Sequence, residues 1–349
     1  MANLIDISNT EKRESFNKRL RKIIQSTNIN FLIGSGCSYP AIKVLGDIEN
    51  RINEFRVKGD NDKAEKLLHD FLVPFLDNTK QLLNDNITLL VDVISNYKNF
   101  LKTINEILFN RKNNIIPSQA IIFSTNYDMF IEYAMGECIE TSLLCDGFKR
   151  TSSINNEYYF SPSEYFNMIY NTGNLYKYKV EIPLINLIKL HGSLNWNIKD
   201  KKIIQDLSYL DEAEKLKNSK SIIDIKKFNS LFKIVLPENN KFNITITEQV
   251  YYDLLRIYSN ELDKENTVLI VEGFSFADQH ILDLTIRALK NKTFNLIIFC
   301  FNEKDKTTLS AIYELYRNVD IVFNRNENLD FKFFIEIISE IISLKENEI

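Results

Sequence analysis

Glycine is scarce in this chain, nine in 349 residues, so the pair of them in FLIGSGCSYP, residues 31–40, asks for a reason. Cysteine is scattered as well as rare. Cys37, Cys138, Cys145 and Cys300 show no C-x-x-C spacing, which leaves neither a zinc site nor a disulfide framework and suits a reducing cytoplasm. Neither charge dominates, since 43 basic and 47 acidic residues leave a net charge of -4. That balance argues against nucleic acid as a main partner, because binding a phosphate backbone needs a basic face. The richest basic run, Lys12, Arg13, Lys18, Arg19, Arg21 and Lys22, is diluted by Glu11 and Glu14 and reads as a solvated helix face or a docking surface. No apolar run reaches the length of a membrane span, and the opening MANLIDISNTEKRE is too polar for a signal peptide. The expectation is a soluble, cytoplasmic protein with no membrane contact and no direct nucleic-acid binding.

Hydrophobic residues make up 44% of the chain, ample for one large α/β domain or two modest ones. Residues 11–26 carry Phe16, Leu20, Ile23 and Ile24 at helical spacing. Five short apolar runs read as strands: Asn30–Ile33, Ala120–Phe123, Ile185–Leu190, Val268–Val271 and Leu296–Phe301. Nearly continuous apolar character, with helical stretches between, is the pattern of parallel strands covered on both faces. Small or polar residues follow each run, and open parallel sheets bind ligands outside those carboxyl ends. The whole chain is expected to form one domain. Its core spans about 11–136, 184–193 and 246–345, with a smaller module or covering loops at about 137–183 and 194–245. The helical region 45–110 carries apolar positions beyond what one covering helix needs, which points to an interface between copies.

The strand ends hold the candidate chemistry. Gly34-Ser35-Gly36 would let backbone N–H groups approach a phosphate, with a helix start beyond adding positive potential, or would simply turn a strand into a helix. It is not the six-residue dinucleotide fingerprint, since Tyr39 stands where the third glycine belongs, and no Gly-Lys-Ser/Thr follows. In FSTNYDMFIEYA, Asn126 and Asp128 either cap the next helix or recognise an amide-bearing ligand. In LIKLHGSLNW, His191 is one of three histidines in the chain and is either structural or an imidazole facing a ligand. Gly273 and Ser275 in VEGFSFADQHI, and Asn302 in IIFCFNEKD, are either ordinary turn residues or donors and acceptors for ribose hydroxyls. His280 reads as a packing or capping residue.

Gly34-Ser35-Gly36-Cys37-Ser38, Thr125-Asn126-Tyr127-Asp128, His191-Gly192, Gly273-Phe274-Ser275 and Phe301-Asn302 occur in the order found in sirtuin-like proteins. The sequence resembles that superfamily, and its bacterial defence branch more closely than the protein deacylases. The resemblance implies a Rossmann-like parallel sheet with helices on both faces and a smaller, partly helical module. It implies that the Gly34–Ser38 turn cradles the pyrophosphate of NAD and that Asn126 positions a water or the nicotinamide-side ribose. Asp128 would hold the nicotinamide amide, and His191 would bind ribose hydroxyls and act as base. Ser275 and Asn302 would address the adenosine half.

Two departures matter. Deacylating sirtuins carry a four-cysteine zinc module after the His-Gly pair, and no cysteine occurs here from Ser193 to Glu272. An arginine-bearing loop after the glycine turn is replaced by YPAIKVLGDIEN. What the resemblance leaves is NAD as a substrate, no zinc ribbon and no metal, and water as the nucleophile. It implies an NAD glycohydrolase acting in anti-phage defence, similar to the sirtuin-like partner of a HerA-type ATPase. An NAD-dependent deacylase and a non-catalytic subunit that senses NAD or ADP-ribose are the alternatives. A toxic NAD-consuming site needs a gate, for which the 194–245 segment and the 45–110 helices are the candidates.

Overall fold

A computed structural model of the chain describes residues 1–43, 48–111, 115–138, 142–150, 157–172, 179–234 and 245–343. The first half alternates β1 (Asn3–Asp6), α1 (Thr10–Ser26), β2 (Asn28–Ile33), α2 (Ile48–Val57), α3 (Asn61–Leu83), α4 (Val91–Phe109), β3 (Gln119–Ser124) and α5 (Phe130–Cys138). Short strands follow: β4 (Leu143–Cys145), β5 (Phe148–Lys149), β6 (Tyr159–Phe160), β7 (Tyr170–Thr172), β8 (Lys179–Glu181), β9 (Leu184–Lys189), β10 (Trp196–Lys199) and β11 (Lys202–Gln205). The chain then runs through α6 (Leu210–Leu216), α7 (Ile222–Leu231), α8 (Thr245–Asp263), β12 (Thr267–Glu272), α9 (Gln279–Ala288), β13 (Phe294–Phe299), α10 (Glu303–Tyr313), β14 (Val319–Phe323) and α11 (Phe331–Ser343).

Eight strands form one sheet in the order β1-β14-β13-β12-β2-β3-β9-β4, and every neighbouring pair is parallel. The continuous apolar runs are explained by two cores, one on each face. In β2, Phe31 and Ile33 enter one core and Leu32 the other; in β12, Val268 and Ile270 oppose Leu269 and Val271. Helices α1, α3, α4, α5 and α11 cover the first face, and α8, α9 and α10 cover the second. The stripe on α11, Phe334, Ile337, Ile338 and Ile341, repeats at i, i+3, i+4 and i+7, so a single face of that helix buries it. The expected α/β, Rossmann-like architecture is the one observed. Sequence reading found five strands of the sheet and missed β1, β4 and β14. β1 and β4 are short edge strands, and Asp320 interrupts the apolar run of β14.

A second, antiparallel sheet in the order β10-β11-β6-β5 packs Trp196, Phe148 and Phe160 against the second face. Helices α6 and α7 dock on α3: Lys217 pairs with Asp77 at 2.7 Å, Lys226 with Asp62 at 2.9 Å, and Asn229 Nδ2 donates to the Glu65 carbonyl at 2.9 Å. Within 194–245, α6 and α7 are thus held on α3 and β10 and β11 belong to the second sheet, while 235–244 and the side chain of Cys138 lie outside the described residues. Much of the apolar surface of 45–110 also finds partners within the chain. His69 and Phe75 on α3 meet Phe228 and Tyr127, and Tyr97 and Phe100 on α4 meet Phe331. Among the described residues no helix is long and apolar enough to cross a membrane.

Candidate functional site

From β2 the chain steps outward to β3 and β9 on one side, then returns to place β12, β13 and β14 on the other. The order reverses between β2 and β12, and the carboxyl ends there are where a parallel sheet opens a ligand crevice. The glycines stand at this point. Gly34 N–H donates to the Glu272 carbonyl and Gly36 N–H to the Gly273 carbonyl, both at 3.0 Å. A Cβ on Gly34 would come within 2.3 Å of Gly273 O, and one on Gly36 within 2.8 Å of Gly273 Cα. Gly273 itself has φ +65, a left-handed conformation that few other residues adopt. The bare backbone at 34 and 36 is therefore required by the close approach of two strand-end turns. Directly beyond it lies one 3₁₀ turn, Ser35–Ser38, and residues 39–43 form no α-helix, so the helix-start potential expected from the sequence is reduced there to a single short turn.

Asn126 follows β3 and is buried. Its Nδ2 donates to Gly34 O at 3.0 Å and Ser38 Oγ at 3.1 Å, with the Tyr97 hydroxyl at 3.4 Å. A carbonyl oxygen only accepts, so these bonds fix the amide and turn Oδ1 the other way. That Oδ1 is buried and has no partner among the described residues. Ser38 Oγ donates to Asp128 Oδ2 at 2.7 Å and also meets the Tyr97 hydroxyl at 2.9 Å. Asp128 thus holds the frame around Asn126, and its Oδ1 also accepts from Phe130 N–H at 3.4 Å as a turn acceptor for α5. Burial pushes the Asp128 carboxyl up, with the Lys189 ammonium working against the shift. Lys189, at the end of β9, donates to the Asp128 carbonyl and pairs with the partly buried Glu132 on α5 at 3.3 Å. Burial likewise raises Glu132, Tyr97 and, strongly, Cys37, whose thiol stays protonated and faces the Glu272 carbonyl. Cys37 is therefore no thiolate nucleophile.

His191 and Asp278 meet over the strand ends. The Nε2–Oδ2 distance is 3.0 Å, and the Tyr127 and Tyr251 rings lie 6.4 and 6.2 Å from the imidazole. Strands β9 and β12 are separated in the sheet by β2 and β3, so the segments that follow them meet over the ends of those two strands. Gly192 turns away with φ +82. Of the residues singled out from the sequence, Gly34, Ser35, Gly36, Cys37, Ser38, Thr125, Asn126, Asp128, Gly273 and Phe274 gather at the ends of β2, β3 and β12. His191 joins them from β9. Ser275 is exposed on the segment after β12, and Asn302 caps α10 by accepting from Asp305 N–H at 3.0 Å.

A family model described as a SIR2-like domain matches residues 120–321, more than half of the chain. The chain belongs to the SIR2-like family. No curated protein matches it significantly. Within the SIR2-like match lie Asn126, Asp128, His191, the Gly273–Ser275 turn and Asn302; the Gly34–Ser38 turn lies outside it. Membership implies NAD-dependent, sirtuin-like chemistry. The residues present suit such a ligand in one concrete respect: the Oδ1 of Asn126 is a buried acceptor awaiting a donor, at the point of the sheet where dinucleotides bind. Among the described residues no three His, Cys, Asp or Glu side chains are grouped as a metal would need. Sequence reading missed Tyr97, Lys189, Glu132 and Asp278. Asp278 is legible only as a helix cap, and its meeting with His191, 87 residues away, has no local signal.

Proposed function

We propose that this SIR2-like chain hydrolyses NAD to nicotinamide and ADP-ribose. The observation that carries the proposal is the unpartnered Oδ1 of Asn126, held facing away from Gly34 at the strand-end crevice. An acceptor fixed in that way orients the hydrogen of a water or of a ribose hydroxyl. His191 supplies a base. Water oxygen bonds to the ribose carbon as the glycosidic C–N bond breaks. The bonding pair goes to the nicotinamide nitrogen and the water proton goes to the imidazole. Nicotinamide leaves neutral, so no strong acid is needed, and the transition state carries charge on the ribose as in other glycoside hydrolyses. The absence of any cysteine from Ser193 to Glu272 supports water, in place of an acyl peptide, as the acceptor.

The role is that of an anti-phage effector depleting NAD, with a HerA-type ATPase as partner and self-assembly as part of its control. Val57, Leu89 and Phe109, exposed in the helical region before β3, support contact with a second copy. Purified protein incubated with NAD is expected to release nicotinamide and ADP-ribose in equal amounts without any acylated peptide. His191→Ala should lose about a hundredfold or more. Release only in the presence of an acylated peptide would make the protein a deacylase, and tight NAD binding with no release under any condition would make it a sensor. Light scattering, with and without the ATPase, tests assembly.

A further inference from the structure

His191 and Asp278 expose only 11% and 12% of their side chains, so their bond is shielded from water. A carboxylate oxygen accepts, which puts the ring hydrogen on Nε2 and leaves the lone pair on Nδ1. Asp278 is itself fixed. Its other oxygen, Oδ1, accepts from the N–H groups of His280 at 3.0 Å and Ile281 at 3.3 Å, capping α9. Among the described residues, the titratable groups that meet the imidazole are Asp278 from the start of α9, Tyr127 from the β3–α5 connection and Tyr251 from α8.

We propose that Asp278 is a positioning residue for His191. It holds the ring in the orientation and tautomer that present Nδ1 as the base, and it stabilises the imidazolium formed when water gives up its proton. Asp278 touches neither substrate nor reacting atoms and acts through the ring alone. The inference rests on NAD hydrolysis at this crevice. It also ties two jobs to one short segment, because residues 273–278 carry both the turn packed on Gly34 and the partner of the base.

Two variants keep the cap on α9 and remove the partner differently. Asp278→Asn keeps the shape and loses the charge; Asp278→Ser still caps but is too short to reach the ring. Each is expected to lower kcat about a hundredfold or more while KM for NAD stays within about threefold. A second measurement needs no substrate. In ¹⁵N-labelled protein the Nε2-bound proton of His191 should exchange slowly enough to be seen, and Asp278→Ser should abolish it. The chain has three histidines, so the signal is assigned by its loss in His191→Ala. Wild-type kcat in both variants, or a His191 proton unchanged in Asp278→Ser, would overturn the assignment. A wild-type protein that does not cleave NAD refutes the hydrolase proposal and leaves the proton signal to decide the role of Asp278.

Discussion

A Cβ placed on Gly34 would stand 2.3 Å from the carbonyl oxygen of Gly273, a separation that no relaxed structure holds. The turn after β2 and the turn after β12 are therefore one packed unit. Gly34→Ala must push backbone apart and is expected to cost about 3 kcal/mol or more. Gly192→Ala meets nothing closer than 3.6 Å and bears only the strain of its positive φ, about 1–2 kcal/mol. Gly136, inside α5 with open space around it, should gain about 0.5–1 kcal/mol on becoming alanine. Urea denaturation of the three variants gives the order. Unchanged stability in Gly34→Ala would mean that the turn stays glycine for a ligand alone.

Asn126 can be tested by what its two ends do. Asn126→Ala removes the acceptor and should reduce nicotinamide release by about a hundredfold or more, measured by chromatography of the products. Asn126→Asp sets a carboxylate where the amide donated, against the Gly34 carbonyl and beside the Asp128 carboxyl. Losing those donors in a buried site should cost about 1–3 kcal/mol as well as activity. A thermal melt equal to the wild type in Asn126→Asp would show that the Nδ2 bonds do not hold the side chain.

The sequence made the sheet legible because burial on both faces leaves strands such as NINFLI and TVLIVE almost without polar residues. It placed Asn126 and His191 because each stands at the end of such a run. What it could not reveal were contacts joining distant segments. Tyr97 sits on α4 with ordinary helical spacing, and only the fold brings its hydroxyl to Ser38. Asp278 looks like any helix cap until β9 and β12 are known to flank β2 and β3. The glycine turn was visible, but its packing against Gly273 was not, because that contact joins residues more than two hundred positions apart.

Cleavage of NAD should survive chelation. The described residues gather no group of three metal-binding side chains, and neutral nicotinamide leaves without help from a Lewis acid. The expected result is the same nicotinamide release before and after dialysis against EDTA, with no stoichiometric zinc by elemental analysis. One zinc per chain whose removal stops release would revive the deacylase alternative.

Glu272 gives a prediction about pH. The residue is 3% exposed at the end of β12, and its Oε2 has no hydrogen-bond partner among the described residues. Burial, with the Asp330 charge adding to it, pushes the carboxyl well above its ordinary value of 4.5. The folded protein then keeps a proton that the unfolded chain releases. The resulting stabilisation is complete below the ordinary value and is lost as pH rises toward the folded one. Glu272→Gln replaces the carboxyl by a neutral group of the same shape and removes that dependence. Asp128 and Glu132, whose carboxyls burial also raises, remain in the variant, so the difference between the two proteins isolates Glu272. Urea denaturation at pH 4 and at pH 8 is therefore expected to favour the variant more at the higher value. A difference between variant and wild type that stays constant across this range would mean that Glu272 ionises in the folded protein as it does in the unfolded one.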